Sequence, residues 1–175
     1  MPTKEACAHQ PRRLGLKGPQ LQQRLAVAET RCFAADEALT PARRQVLRLL
    51  LAANAPVKAY DLMAALPKAG RPAYPTTTYR TLEFLTRLGL AHRIERLNAY
   101  VACRMGECAH SPTLLICDCC GAVEEWTTDV AQAVAGAESK GYLVSAVTVE
   151  AIGLCGPCMA GKSRDRATSA PRSRE

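Results

Sequence analysis

Two Cys-x-x-Cys pairs, Cys117/Cys120 and Cys155/Cys158, constrain this chain more than any other feature. Each pair can turn two sulfurs toward one point, and two such turns complete a tetrahedral thiolate shell that suits zinc. The 34 residues between Cys120 and Cys155 exceed what a compact zinc ribbon needs, so a strand, a helix and another strand fit between the knuckles. With all four positions filled, nothing is left open for a substrate, and the site reads as structural. The competing readings are reduced thiols without metal, or one pair serving as a redox couple. Cys119 competes with Cys120 for the fourth corner of the first knuckle, and the two-residue spacing favours Cys120.

The compartment matters for nine cysteines in 175 residues. The N-terminus has charges and a proline but no apolar signal region, and runs such as 46–53 are too short to span a bilayer. We therefore expect the cytosol, no membrane partner, and metal-binding rather than disulfide-bonded Cys-x-x-Cys pairs. Charge divides the chain. Residues 1–103 carry a net +9, residues 104–158 a net −5 and residues 159–175 a net +3. A basic half joined to an acidic, thiol-rich half suggests that the first meets a polyanion, although a solvated basic face is the plain alternative.

Residues 1–20 read as a flexible basic arm and residues 159–175 as a disordered basic tail. Between them, Leu21, Leu25, Ala28 and Cys32 share one helical face, and Cys32 is simplest as a small buried hydrophobe. Thr40-Pro41 starts a second helix that buries Val46, Leu47, Leu50 and Leu51. A third runs over 57–66, with Leu62, Met63 and Leu66 inward and Tyr60 near its start. Residues 67–74 are a Pro/Gly-rich turn. The fourth helix, 75–88, ends at Gly89; Leu82, Leu85 and Leu88 face inward, while Thr76, Arg80, Glu83 and Arg87 face out. Strands over 91–95 and 99–103 follow, with a turn at Leu97-Asn98. Helices and then a hairpin in a basic segment describe a winged helix-turn-helix domain over 21–103, with the fourth helix entering the DNA major groove.

After a connector over 104–112, residues 113–158 read as a small α/β unit. We expect strands at 113–117 and 122–126, a helix capped by Thr127 or Thr128 and running to Lys140, and a long strand over 142–152. The fold class is thus α+β: a winged helix, then a small α/β dimerisation domain with a structural zinc site. So thin a unit needs a metal staple and a second copy. Four further side chains acquire meaning by position. His92 and Cys103 fall on the two wing strands, His110 on the connector and Glu125 on the first strand pair of the second half. One metal held by all four would tie the halves together, and two nitrogens, one sulfur and one oxygen suit zinc. Strand alternation sends Glu124 and Glu125 to opposite faces, so only one reaches that site.

At LTPARRQVLRLL, AYDLMAAL, PTTTYRTLEFLTRLGLAHRIE, AYVAC, LLICDCCGAVEE and GLCGPC the chain resembles the ferric uptake regulator family, and within it the zinc-uptake-regulator branch. The resemblance spans about Leu39 to Cys158. It implies a homodimeric repressor that binds palindromic double-stranded DNA when loaded with zinc and represses zinc-uptake genes. It implies two zinc ions per subunit: a structural one on Cys117, Cys120, Cys155 and Cys158, and a regulatory one on His92, Cys103, His110 and Glu125. Tyr60, Tyr79 and Arg80 match DNA-contacting positions, with Thr76 beside them on the exposed face, and Arg80 is the candidate for reading a guanine edge. One histidine in ECAHSPTLLIC, where iron-sensing members carry a histidine-rich run, and a thiolate at Cys103 favour the zinc branch. Thr78 departs from the valine common there, and Cys108 and Cys119 are extra thiols. An iron, manganese or peroxide sensor of the same family is the nearest rival. A thiol-redox enzyme and a zinc-stapled interaction module are more distant ones. We expect no catalytic residue and no small-molecule substrate.

Overall fold

The computed structural model describes residues 15–53, 55–66, 75–104, 112–145 and 147–161. Four helices come first: α1 (Gly18–Ala34), α2 (Pro41–Ala52), α3 (Ala59–Ala65) and α4 (Pro75–Arg87). The hairpin β1 (Ala91–Ile94) and β2 (Ala99–Ala102) follows, paired antiparallel with His92 opposite Val101. Asn98 takes the left-handed conformation (φ 45°) that the tight turn needs and that asparagine tolerates. The second half holds β3 (Pro112–Cys117), β4 (Val123–Thr127), α5 (Ala131–Glu138) and β5 (Val149–Gly153). Its sheet runs β4-β3-β5, with β3 antiparallel to β4 and parallel to β5. This α+β arrangement of a winged helix and a small α/β unit is the fold class expected from the sequence.

Local chemistry accounts for the helix ends. The Thr40 hydroxyl accepts a hydrogen bond from the Arg43 N–H (3.4 Å) with Pro41 in the first turn of α2. At the far end of α4, Gly89 takes φ 62°, and the Leu90 N–H reaches the Leu85 carbonyl (2.8 Å), closing the helix with its carbonyls satisfied. The periodic leucines meet as the sequence pattern requires. Leu25, Leu47, Leu50, Leu62, Leu82 and Leu85 are all at most 2 % exposed and form one core, which also buries Cys32.

Several expectations need correction. Helix α1 starts at Gly18, inside the stretch assigned to the arm, because Pro19 suits a first turn although no apolar periodicity marks it. Helix α3 is shorter than 57–66: Val57 instead pairs with Tyr100, extending the wing. On α4 the buried set also includes Thr78, Thr81 and Phe84, and Leu88 is half-buried. Helix α5 begins at Ala131, where the Asp129 carboxylate accepts from the Ala131 N–H (2.8 Å); neither threonine is its cap. The long strand over 142–152 is only Val149–Gly153, since Tyr142–Ser145 has no ladder partner; valine content and rough alternation are local signals that do not supply one. Residues 156–161 are helical, so the tail assigned from 159 begins inside a helical turn. The Pro/Gly turn over 67–74, Cys7, Cys108 and His110 lie outside the described residues. Among the described residues no helix is long and apolar enough to cross a membrane.

Candidate metal centres and nucleic-acid interface

Cys117 closes β3, and the turn 118–120 bends Cys120 back beside it. The parallel pairing of β3 with β5 delivers Cys155 and Cys158 from just beyond Gly153, which stands opposite Cys117. Cys117 Sγ lies 3.6 Å from Cys158 Sγ, and Cys120 Sγ lies 3.8 Å from Cys155 Sγ. Sulfurs on a tetrahedral zinc with bonds of about 2.3 Å stand about 3.8 Å apart, so the four residues fit the ion. All four sulfurs fall within 4.8 Å of one another, and all four are free thiols.

Their protons are not equivalent. Burial pushes the Cys117 thiol up, but the backbone N–H groups of Cys155, Cys120 and Cys119 and the Cys120 side chain more than offset it, bringing Cys117 down to about 6. Burial and the neighbouring sulfurs push Cys158 up, and burial does the same to Cys120. The four sulfurs thus share fewer charges than four separate thiolates would carry, and at least one of them holds a proton at neutral pH. Metal binding must displace any such proton. Zinc added to metal-free protein in a weak buffer at pH 7 is expected to acidify the solution, because thiol ligands bind as thiolates. Uptake of zinc without acidification contradicts this assignment.

A second cluster lies where the wing meets the sheet. His92 on β1, Cys103 just beyond β2 and Glu125 on β4 bring their ligand atoms within 4.8 Å of one another. His92 is 5 % exposed and Cys103 9 %. The Cys103 N–H donates to the Leu90 carbonyl (3.0 Å), and the Arg104 N–H donates to Glu125 Oε2 (2.9 Å). The Arg24 guanidinium of α1 holds the Arg104 carbonyl. Glu124 is exposed, on the opposite face from Glu125. A histidine nitrogen, a sulfur and a carboxylate oxygen match zinc's donor preferences. The Cys103 and Cys119 sulfurs are each held in a disulfide, so the thiolate a metal needs at 103 belongs to the reduced protein.

Beside this cluster, Ile94 and Val101 of the wing pack with Leu114 and Ile116 of β3 and Val123 of β4 in a small buried core. Sequence reasoning missed this contact. The clue is in the wing's own sequence: β2 reads Ala-Tyr-Val-Ala without a polar position, and all four residues are buried, more than in a hairpin with one solvent face.

The basic half presents a different surface. Thr76, Tyr79 and Arg80 on α4 and Tyr60 on α3 are exposed, Tyr60 at 75 % and Tyr79 at 52 %. The C-terminal part of α4 is anchored. The Arg43 guanidinium lies 3.4 Å over the Phe84 ring, and Arg87 and Arg43 both pair with Glu37, whose carboxyl the Arg87 hydrogen bond holds below its usual range. The helical pattern leaves Arg87 facing outward and does not reveal these contacts.

Such a scaffold, a winged helix meeting a small sheet beside two clusters of potential metal ligands, defines a winged-helix protein with two candidate metal centres. The comparisons make the relationship specific. The chain belongs to the ferric uptake regulator family, whose model matches residues 35–151. It is 37 % identical over 141 residues to the zinc uptake regulation protein of Escherichia coli K12, covering 79 % of this chain and 82 % of that protein. Among solved structures, a zinc uptake regulator complexed with zinc and DNA superimposes with a TM-score of 0.74 at 35 % identity, covering 84 % of this chain and 99 % of that one. Holo XcZur superimposes with a TM-score of 0.72 at 39 % identity, covering 79 % and 98 %.

Proposed function

We propose that this protein is a zinc-responsive transcriptional repressor that binds palindromic operator DNA as a dimer and silences zinc-uptake genes when zinc is plentiful. The observation that carries the reading is the His92, Cys103 and Glu125 cluster, because its donors come from both sides of the wing–sheet contact. His110, from the connector, completes the set. Zinc held there would accept electron pairs from residues of both halves and so would join wing to sheet. The chain's own residues do the rest. His92 and Cys103 fix the two wing strands, Glu125 fixes β4 against them, and α4 is thereby held at one angle to the sheet. Only a difference in zinc affinity between the aligned and unaligned wing can shift that equilibrium, and DNA must tighten zinc binding by the same factor.

The four-cysteine site is the second, permanent zinc of each subunit. Dimerisation uses the second half. Helix α5 has no buried residue among those described. A groove of about 590 Å³, lined by Leu115, Ile152, Leu154 and Pro157 among others, lies open along the sheet. Trp126, Tyr142 and Leu143 are exposed nearby in sequence. An apolar surface of this kind on so small a unit supports a second copy, and a two-fold dimer matches a two-fold operator.

Arg80, at the N-terminal part of α4, reads a base edge, while Tyr79, Thr76 and Tyr60 contact backbone or base. The test is a mobility-shift titration on a palindromic duplex selected from genomic DNA by the zinc-loaded protein, in buffers of defined free zinc, iron(II) or manganese(II). Zinc is expected to switch binding at the lowest free concentration, with affinity falling as salt rises. Arg80→Ala is expected to weaken specific binding about 10- to 100-fold, as loss of one bidentate base contact does. Switching by iron or manganese ahead of zinc overturns the zinc reading. Binding indifferent to salt and to Arg80→Ala overturns the DNA reading.

A further inference from the structure

The wing meets the sheet at a second place, its tip, where no metal ligand is involved. Leu114 at the centre of β3 stands opposite Glu125 on β4 and opposite Glu150 on β5. Residues paired across a sheet point to the same face, so Glu125, Leu114 and Glu150 form one rung on the face that meets the wing. Leu114 is fully buried and packs with Ile94 and Val101. Glu125 reaches toward His92 and Cys103 at the wing's base. Glu150 reaches the turn between β1 and β2: its carboxylate accepts the Glu95 N–H at 2.7 Å and the Arg96 N–H at 3.4 Å. Arg96 in turn pairs with Asp118 at 3.2 Å, and Asp118 lies inside the first cysteine knuckle.

We infer that Glu150 is a positioning residue that grips the wing tip independently of metal and so sets the free zinc concentration at which the repressor engages DNA. The inference rests on the proposed zinc-dependent alignment of the wing. Two backbone amides converging on one carboxylate are charge-assisted hydrogen bonds, stronger than neutral ones. They restrict the wing to rotation about its tip, so closing the base around His92, Cys103 and Glu125 has less freedom to remove. Without that grip, part of zinc's binding free energy is spent ordering the wing, and more zinc is needed for the same occupancy of the DNA-competent state. The Arg96–Asp118 pair connects the tip to the four-cysteine site, so the structural staple supports the same grip.

The test compares full-length wild type with Glu150→Ala and Glu150→Gln, each checked for unchanged zinc content and melting temperature. In buffered zinc on the selected duplex, Glu150→Ala is expected to raise the midpoint for DNA binding about three- to tenfold, a range set by hydrogen bonds at a partly exposed site. Glu150→Gln, which keeps one acceptor, should fall between. Hydrogen exchange by NMR, without DNA, should find the Glu95 and Arg96 amides protected in wild type and exchanging faster in Glu150→Ala. An unchanged midpoint in a wild-type protein that does respond to zinc overturns the inference. So does equal exchange of the two amides in wild type and variant. A wild type that binds DNA without regard to zinc overturns the functional reading instead, and the exchange comparison then decides the grip by itself.

Discussion

Cys117→Ser is expected to remove the structural zinc and unfold the second half of the chain while leaving the winged helix intact. Zinc bound at a structural site contributes on the order of 10 kcal/mol or more to folding, far more than any single contact in a unit this thin. Cys117 sits at the end of β3, the central strand of the sheet, and its sulfur accepts the Cys155 N–H (3.3 Å) as well as facing Cys158. Losing it therefore frees the knuckle, the end of β5 and the open apolar face together. The winged helix has its own core of leucines from α1, α2, α3 and α4 and does not depend on the site. Metal analysis should show at least one zinc fewer per chain, sedimentation should show monomers or aggregates, and helical signal from the first half should persist. Cys119→Ser, two positions away but outside the cluster of four, should retain zinc and fold in reduced protein. A Cys117→Ser protein that keeps its zinc and its dimer contradicts the assignment.

How much of this was legible beforehand follows from which forces act locally. The Thr40-Pro41 start, the Gly89 stop and the leucine faces are short-range signals, and each reappears in the structure as expected. The burial of Glu125 relative to Glu124 follows strand alternation. What was not legible depends on partners distant in sequence. Val57 pairs with Tyr100 because the fold brings them together, and nothing in either local pattern announces it. The length of β5 is set by where β3 offers pairing, not by the scattered valines before it. Arg43 and Arg87 read as solvent-facing charges until Phe84 and Glu37 are placed beside them. The Glu150 contact with the wing tip crosses from one half of the chain to the other and is likewise invisible to any local rule.

The second large effect concerns the switch itself. Cys103→Ser replaces a thiolate with a hydroxyl of similar size that stays protonated at neutral pH and is a poor zinc ligand. Its N–H can still donate to the Leu90 carbonyl, so the wing should close normally and the fold should survive. Glu125→Gln removes the charge while leaving an oxygen for the Arg104 N–H. Even outer-shell changes cost about 10- to 100-fold in metal affinity, so loss of a direct ligand should raise the zinc midpoint by at least about 100-fold. Both variants should keep the zinc of the four-cysteine site, separating the two sites by metal content alone.

The measurement that tests the central claim most directly is the binding of reduced wild type and Cys103→Ser to the same palindromic duplex across a series of buffered free zinc concentrations. If His92, Cys103 and Glu125 join wing to sheet through zinc, wild type will bind steeply with rising zinc. Cys103→Ser, with its structural zinc intact, will stay unbound across the range that saturates wild type. A Cys103→Ser protein that binds DNA at the same free zinc as wild type contradicts the account.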